Sequence, residues 1–265
     1  MTFDARPVGE AEPAVPATGA AAFFDVDNTM VNGTSMIQLG KGLYRRGYFD
    51  AKVIARAVWL EASFRFSGEK HTHIDEVRNS LLQMISGRTV AEVQEDIKQI
   101  YEAAIAPRIV PRTKALALAH QTAGTPVWLV TAAPADLAEV IAADLGMSGA
   151  LGTRGESRDG VFTGRIEGDF LHGPAKATAV RALADREGFD LANCHAYSDS
   201  YNDLPLLQLV GHAHVVNPDH RLKLHAKAHG WPIHEFRGRG KRRTMIASAA
   251  TAAAVGAIAW RRRSR

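Results

Sequence analysis

The chain has 265 residues, of which 46% are hydrophobic and 23% are charged, as in a globular protein with one large domain or a domain carrying an insertion. Its net charge is +4, but nine of its 32 basic residues follow Glu235, so residues 1–236 are mildly acidic and no nucleic-acid partner is expected. The single cysteine, Cys194, excludes an internal disulfide and a cysteine-based zinc site, and it is typical of the reducing cytoplasm.

The first 110 residues predict a leader, one strand and a helical block. Residues 1–20 are rich in Pro, Ala, Gly and Glu without an amphipathic period, which predicts a disordered leader and no secretory signal. Residues 21–33 predict a buried strand followed by a turn that contains two aspartates. Residues 34–110 repeat apolar positions at steps of three and four, which predicts an all-helical cap inserted after the first strand.

Helix and strand patterns alternate from residue 111 onward, and residues 111–236 are assigned with residues 21–33 to one catalytic core. The segment "TPVWLVTAAP" predicts a buried strand that ends at Thr131, and "GALGTRGESRDGVFTGRI" predicts short strands with turns at Gly155 and at "RDG". This alternation predicts an α/β fold, a Rossmann-like parallel sheet with helices on both faces. Such sheets bind ligands at the carboxyl ends of their strands.

Polar side chains stand at three of these predicted strand ends. Asp25 and Asp27 follow the first strand, Thr131 ends the second, and Asp199 and Asp203 follow the strand "CHAYS". Carboxylates that pack together without a cation raise each other's pKa. Magnesium prefers a few carboxylates together with water and substrate phosphate, so we predict Mg²⁺ as the cofactor and a phosphomonoester as the substrate.

The same residue types indicate phosphoryl transfer. One carboxylate can attack phosphorus and form an aspartyl phosphate. The second carboxylate, two residues on, can protonate the leaving oxygen and later activate water. Lys176, at the start of a predicted helix, and Thr131 can neutralise and hydrogen-bond the phosphate oxygens.

Four segments together resemble the motifs of the haloacid-dehalogenase-like phosphatases, in the phosphoserine-phosphatase-like branch with a helical cap. They are "DVDNT" at residues 25–29, the strand ending at Thr131, Lys176, and "SDSYND" at residues 198–203. The resemblance implies that Asp25 is the nucleophile and a metal ligand, and that Asp27 is the acid/base whose backbone carbonyl also binds the metal. It further implies the remaining roles as follows: Asp199 and Asp203 in the metal site, and Asn28, Thr29 and Asn202 at the substrate phosphate.

The sequence departs from that branch where the substrate is chosen. Phosphoserine phosphatases have a glutamate facing the substrate amine where this chain has Thr34, and Ser-Gly-Gly where it has Thr131, Ala132 and Ala133. A small phosphorylated metabolite similar to phosphoserine is the first hypothesis. A lipid phosphate such as lysophosphatidate or phosphatidylglycerol phosphate is the alternative, and a phosphate-binding module whose catalysis has decayed is the third.

The basic tail, residues 237–265, predicts a helix with a membrane surface as its candidate partner. Residues 245–260 are uncharged and are bracketed by "KRR" and "RRRSR". As a helix they span about 24 Å, less than the roughly 30 Å of a bilayer core, so contact with an anionic surface is easier than a full span. The expected location is therefore cytoplasmic, with or without membrane contact through this tail.

Two further groups of residues are interpreted without a function. The 11 histidines share no facing pattern and are read as ordinary surface or core residues. Arg45, Arg46 and Arg65 could recognise a substrate anion, but a solvated helix face is the favoured interpretation.

Overall fold

The computed structural model describes residues 19–50 and 85–236. Most of the predicted leader, residues 51–84 of the predicted cap and the whole basic tail lie outside the described residues, so the expectations for them remain predictions. Gly19 and Ala20, which the sequence assigned to the leader, belong to the folded part: the carbonyl of Gly19 accepts a hydrogen bond from the amide of Asp190 at 2.8 Å, and Ala20 is buried.

The described strands form one seven-stranded sheet in the order β4-β3-β2-β1-β5-β6-β7. All neighbouring strands are parallel except β3 and β4, which form an antiparallel hairpin. The strands are β1 (Ala22–Phe24), β2 (Val127–Pro134), β3 (Gly149–Arg158), β4 (Val161–Glu167), β5 (His195–Ser198), β6 (His212–Val216) and β7 (Ile233–His234).

Seven α-helices accompany this sheet in the described residues: α1 (Ser35–Arg45), α2 (Val90–Ile100), α3 (Pro111–Thr122), α4 (Ala135–Asp144), α5 (Pro174–Glu187), α6 (Leu204–Leu209) and α7 (His220–Ala228). Helix α2 continues through a π-helical segment, Tyr101–Ile105, and a 3₁₀ turn, Ala106–Arg108. Further 3₁₀ turns lie at Leu191–Asn193 and Tyr201–Asp203.

Strand β1 lies at the centre of the sheet, and its side chains divide the core into two layers. Phe24 packs in one apolar cluster with residues of α1, α2, α3 and α4, whereas Phe23 packs in a second cluster with residues of α5, α6 and α7. Successive side chains of a strand point to opposite faces, so a continuous apolar strand needs a helical layer on each side. The predicted α/β sheet with helices on both faces is therefore confirmed.

Two local predictions were wrong. Gly155 is not a turn but lies inside β3, where a Cβ atom would meet the ring of Phe162 at 3.0 Å. Strand β2 does not end at Thr131 but continues to Pro134, after a register shift against β3 between Val130 and Pro134. The turn at "RDG" is present, and both Asp159 and Gly160 have a positive φ, as tight hairpin turns require.

The described part of the predicted cap consists of helices that pack on each other and on the sheet. Arg46, which directly follows α1, forms an ion pair with Asp96 of α2 at 2.8 Å, and Gly42 of α1 packs against Ile100 of α2. Val93 and Ile97 of α2 belong to the same apolar cluster as Phe24. The boundaries of cap and core and the interpretation of Arg46 as part of a solvated helix face remain predictions.

Several of the histidines form an aromatic cluster at the β5–β6–β7 side of the sheet. The rings of His195 and His214 stack, and their nitrogens lie 3.2 Å apart. The hydroxyl of Tyr197 lies 2.9 Å from a ring nitrogen of His120. Burial lowers the pKa of His195 to about 4 and that of His214 to about 3, with neighbouring histidines acting in the same direction. These side chains are therefore neutral packing residues at neutral pH.

We expect this cluster to make the protein sensitive to acid. Because both histidines have a folded pKa below the ordinary value of 6.5, the unfolded chain binds more protons, so stability falls as pH drops from about 6.5 toward 4. Each histidine contributes at most about 1.4 kcal/mol per pH unit to this loss. Urea unfolding of the parent and of His214→Gln from pH 7.5 to 5.0 measures the slope, which we expect to be shallower in the variant. Parallel slopes would contradict the assignment, and exposed His220→Gln is the control.

The predicted membrane contact concerns residues 237–265, which lie outside the described residues. Within residues 19–50 and 85–236, no helix is both long enough and apolar enough to cross a bilayer.

Candidate active site

The turn after β1 places two aspartates at the carboxyl edge of the sheet. The amide of Asp25 still donates to the carbonyl of Tyr197 on β5 at 2.9 Å, so Asp25 is anchored as a continuation of the strand. The chain then turns back, with the amide of Met30 donating to the carbonyl of Val26 at 2.9 Å and with Asn28 at φ 59°. Asp27 therefore projects from a tight, hydrogen-bonded turn rather than from the strand.

Lys176 joins two of the predicted site residues across long sequence distances. Its Nζ donates to Oδ1 of Asp25 at 2.6 Å and to Oδ2 of Asp203 at 2.8 Å. All three side chains are buried, with residue exposures of 3%, 6% and 3% for Lys176, Asp25 and Asp203. The hydroxyl of Ser198 donates to the same Oδ2 of Asp203 at 2.7 Å. Asp203 thus holds Lys176 from the side opposite Asp25.

Burial and neighbouring charges move the pKa values in this group. Burial raises the pKa of Asp25 to about 7. The charge of Lys176 opposes this shift, and the carboxylates of Asp203 and Asp27 add to it. Burial alone would lower the pKa of Lys176, but Asp25 and Asp203 outweigh it and raise that pKa above its ordinary value. Lys176 is therefore charged, and the Asp25 carboxylate is in an environment where a further cation stabilises its ionised form.

Asp27 is linked to the first turn of α1. Its Oδ1 accepts a hydrogen bond from the amide of Ser35, the first residue of that helix, at 2.8 Å. Burial raises the pKa of Asp27, although the hydrogen bonds from Ser35 oppose this shift. A carboxyl group with a raised pKa and a fixed position is suited to donating a proton and then accepting one.

Thr131 and Thr29 are buried hydroxyl groups at the same edge. Thr131 is 2% exposed, and its Oγ1 accepts from the amide of Ala133 at 3.1 Å, which stabilises the turn of the chain in the last part of β2. Thr29 is fully buried, and its Oγ1 has no hydrogen-bond partner among the described residues.

The loop after β5 carries Asp199 and Asn202. Asp199 is half-buried, whereas Asn202 is exposed. The backbone amide of Asn202 donates to Oγ of Ser200 at 3.2 Å. Asp219, between β6 and α7, holds this loop at two points. Its backbone amide donates to the carbonyl of Asp199, and its Oδ2 accepts from the backbone amide of Tyr201. Its position is therefore set by side chains as well as by the sheet.

The structure adds residues that the sequence interpretation missed. Ser198 orients Asp203, Ser35 binds Asp27, and Asp219 holds the loop after β5. Asn217 lies at the carboxyl end of β6, and its side-chain amide donates to the carbonyl of Asn28 at 3.4 Å. The rule that strand ends meet at one edge would have found Asn217 and Asp219 from the motif "VNPD".

The donor groups at this edge are chemically suited to magnesium. Among the described residues no three His, Cys, Asp or Glu side chains are arranged to hold a metal ion. Magnesium, however, is usually bound by one or two carboxylates with water and substrate phosphate. The carboxylates of Asp25 and Asp199 and the backbone carbonyl of Asp27 are groups that fit this pattern. Asp203, which the sequence also assigned to the metal site, accepts with its Oδ2 from Lys176 and Ser198.

Comparison with known proteins agrees with this geometry. The model of the haloacid dehalogenase-like hydrolase family matches residues 22–208. The protein named phosphoserine phosphatase SerB1 from Mycobacterium tuberculosis is 46% identical over 260 residues, which are 96% of this chain and 84% of that protein.

Two of the solved structures with a similar fold are compared with this chain. A protein of unknown function from Bordetella pertussis Tohama I has a TM-score of 0.73 at 27% identity and covers 82% of this chain and 98% of its own. A substrate-bound phosphoserine phosphatase has a TM-score of 0.57 at 20% identity, covers 84% of this chain and 95% of its own, and supports the fold alone.

Proposed function

The chain belongs to the haloacid dehalogenase-like hydrolase family and is a phosphatase of its phosphoserine-phosphatase-like branch, and from this premise we propose that it hydrolyses a small phosphomonoester through an aspartyl-phosphate intermediate with Mg²⁺. One observation carries the proposal: Lys176 binds buried Asp25 at 2.6 Å at the carboxyl edge of the sheet, two residues before Asp27. The proposed nucleophile and the proposed acid/base group are thus two residues apart, and Lys176 brings a cation to them from a helix 151 residues further along the chain.

In the first step, a carboxylate oxygen of Asp25 attacks phosphorus and the bond between phosphorus and the leaving oxygen breaks. Asp27 gives its proton to that oxygen, so the alcohol leaves neutral. In the second step, Asp27 takes a proton from water, the water oxygen attacks phosphorus, and the Asp25 carboxylate is released together with inorganic phosphate.

The remaining residues stabilise charge. Lys176 and Thr131 offer an ammonium and a hydroxyl to the phosphate oxygens, on which the negative charge of the transition state is spread. Asp203 positions Lys176 and keeps it charged. Asp25, Asp199 and the Asp27 carbonyl are the groups that would hold Mg²⁺, which supplies further positive charge to those oxygens. Asn28, Thr29 and Asn202 are proposed to contact the substrate phosphate.

Phosphoserine is the first substrate to test, because a relative 46% identical carries that name. Two features of the chain separate it from phosphoserine phosphatases in general. Thr34 stands where a glutamate would face the substrate amine, and the second motif is Thr-Ala-Ala.

A lipid phosphate at an anionic membrane is the second candidate, and its support is the sequence of residues 237–265, which lie outside the described residues. Co-sedimentation of the full chain and of a chain ending at residue 236 with anionic and neutral vesicles tests it. Binding to anionic vesicles that is lost on truncation supports this candidate. A decayed phosphate-binding module is disfavoured, because Asp25, Asp27 and Lys176 are all present.

We expect phosphate release to depend on magnesium. Because a bound cation supplies several kcal/mol of charge stabilisation, removal of Mg²⁺ by EDTA should lower kcat by at least about 100-fold, and added Mg²⁺ should restore it. Phosphate release from a panel of small phosphomonoesters, with and without EDTA, measures this effect. Equal rates in the two conditions would contradict the proposed cofactor.

A further inference from the structure

An apolar cavity lies between the described cap helices and the ends of β2 and β3. Its volume is about 90 Å³. Met36, Gly40 and Leu43 of α1 form one wall, Val93 and Ile97 of α2 form a second, and Phe170 closes a third side. An engineered apolar cavity of roughly 150 Å³ in another protein holds one benzene molecule, so this smaller cavity accommodates about four carbon atoms.

Two residues that line the cavity directly follow, along the chain, residues that belong to or contact the proposed site. Met36 directly follows Ser35, whose amide binds Asp27, the proposed donor of the proton to the leaving oxygen. Ala132 directly follows Thr131, the proposed phosphate contact, and also lines the cavity. A phosphomonoester whose phosphorus faces Asp25 therefore has its leaving group close to this cavity.

The chemistry of the lining selects an uncharged group. Asp136 is the one charged residue among the described lining residues, and its Oδ1 already accepts from the side-chain amide of Gln94 at 2.8 Å. Among residues 19–50 and 85–236, neither lysine nor arginine lines the cavity, so these walls offer no cation to a carboxylate on the leaving group. Burying an unpaired charge is costly, whereas burying carbon is favourable.

Gly40 is the residue that keeps the cavity open. Met36, Leu39, Gly40 and Leu43 follow the spacing of one helix face, and all four line the cavity. A Cβ atom at Gly40 would meet no atom within 4 Å, although glycine in a helix interior is unfavourable relative to alanine. Gly42 differs, because its Cβ would lie 2.4 Å from Ile100 and glycine there permits close packing of α1 and α2.

We propose that this cavity binds the short, uncharged apolar part of the alcohol that leaves the phosphate, and that Gly40 determines how large that part can be. The inference rests on the proposed phosphatase function and narrows its substrate class. It favours phosphomonoesters of small apolar alcohols over phosphoserine, whose leaving group carries an ammonium and a carboxylate.

Binding of n-alkylphosphonates to the full-length, Mg²⁺-loaded protein tests the cavity without requiring turnover. Calorimetry from methyl- to octylphosphonate should show affinity rising about fourfold per methylene up to about butyl and then levelling off. A butyl-length phosphonate ending in a carboxylate should bind at least tenfold more weakly than its uncharged counterpart. Affinity that keeps rising beyond hexyl would overturn the small-cavity assignment in favour of a lipid chain.

Gly40→Met fills the cavity from α1, and Lys41→Met is the matched control because Lys41 is the next residue of the same helix and is exposed. We expect Gly40→Met to weaken butylphosphonate binding at least tenfold while methylphosphonate stays within twofold of the parent. Lys41→Met should leave both affinities within twofold. Equal weakening of both ligands by Gly40→Met, or no phosphonate binding at any length, would overturn the assignment.

Turnover separates this inference from the function on which it rests. If alkyl phosphates are hydrolysed at rates that do not depend on chain length, the cavity assignment is overturned and the phosphatase proposal stays in place. Chain-length-dependent phosphonate binding without hydrolysis of any alkyl phosphate would show that the cavity takes an apolar chain, but it would overturn the proposal that this chain belongs to the alcohol that leaves the phosphate.

Discussion

Asp25→Asn is expected to lower turnover by at least about 10⁴-fold, because an amide cannot attack phosphorus to form the covalent intermediate. The geometry predicts that the loss lies in kcat rather than in the integrity of the protein. Asn preserves the shape of the side chain and keeps an oxygen for the ammonium of Lys176, which retains its 2.8 Å contact with Asp203. Phosphate release under saturating substrate and Mg²⁺ measures the effect.

The same substitution should not destabilise the protein. Burial raises the pKa of Asp25 to about 7, so above that pH the folded chain carries a charge that would be better solvated in the unfolded state. The Asn variant removes this charge. In magnesium-free buffer at pH 8 we therefore expect it to unfold at the same urea concentration as the parent or at a higher one.

Asp144→Asn is the matched control. Asp144 lies at the carboxyl end of α4, and its carboxylate accepts a hydrogen bond from the hydroxyl of Tyr101 at 2.6 Å. Because Asn can also accept this bond, turnover should remain within about twofold of the parent. Turnover by Asp25→Asn within tenfold of the parent would exclude Asp25 as the nucleophile.

Lys176→Met is expected to have the largest effect on stability. The ammonium of Lys176 is the shared partner of two buried carboxylates, and removal of one partner from a buried ion pair costs about 3–5 kcal/mol because the remaining charge is uncompensated. Urea unfolding in magnesium-free buffer at pH 8 measures the change in the free energy of unfolding. Turnover should fall by about 10²–10³-fold as well, since a cation at the phosphate oxygens is lost.

A double variant tests whether the charges cause this loss. In Lys176→Met with Asp203→Asn, one of the two uncompensated carboxylates is gone, so the double variant should be more stable than Lys176→Met alone. Exposed Lys114→Met is the control for loss of a lysine and should change stability by less than about 0.5 kcal/mol. Additive losses in the double variant would show that Lys176 and Asp203 are not coupled.

The sequence alone predicted the fold and the members of the candidate site, and the reason is a topological regularity. Apolar runs alternating with helical patterns indicate a parallel sheet, and the carboxyl ends of its strands lie at one edge. Asp25, Thr131 and Asp199 could therefore be placed together although they are far apart along the chain. The structure confirms the fold, and the family model confirms the family, while the roles of these residues remain proposals.

The tertiary structure decided which partners these residues choose. The assignment of Asp203 to the metal site stays a prediction, and the structure adds that its Oδ2 accepts from Lys176 and Ser198. Similarly, five of the histidines, His120, His195, His212, His214 and His234, pack into one cluster. Three of their positions lie on β5 and β6, which are neighbours in the sheet although about 20 residues apart in the sequence. Such contacts depend on side-chain packing between elements, which no local pattern records.

What the sequence by itself determined about this protein is therefore its reaction class, because the chemistry of phosphoryl transfer needs few residue types at fixed strand ends. What only the tertiary structure decided is the shape of the space beside them. Gly40 and Gly42 are two residues apart in one helix, yet one faces a cavity and the other faces Ile100. The difference arises because a helix turns about 100° per residue, so its neighbours in space, rather than in sequence, set what each position can hold.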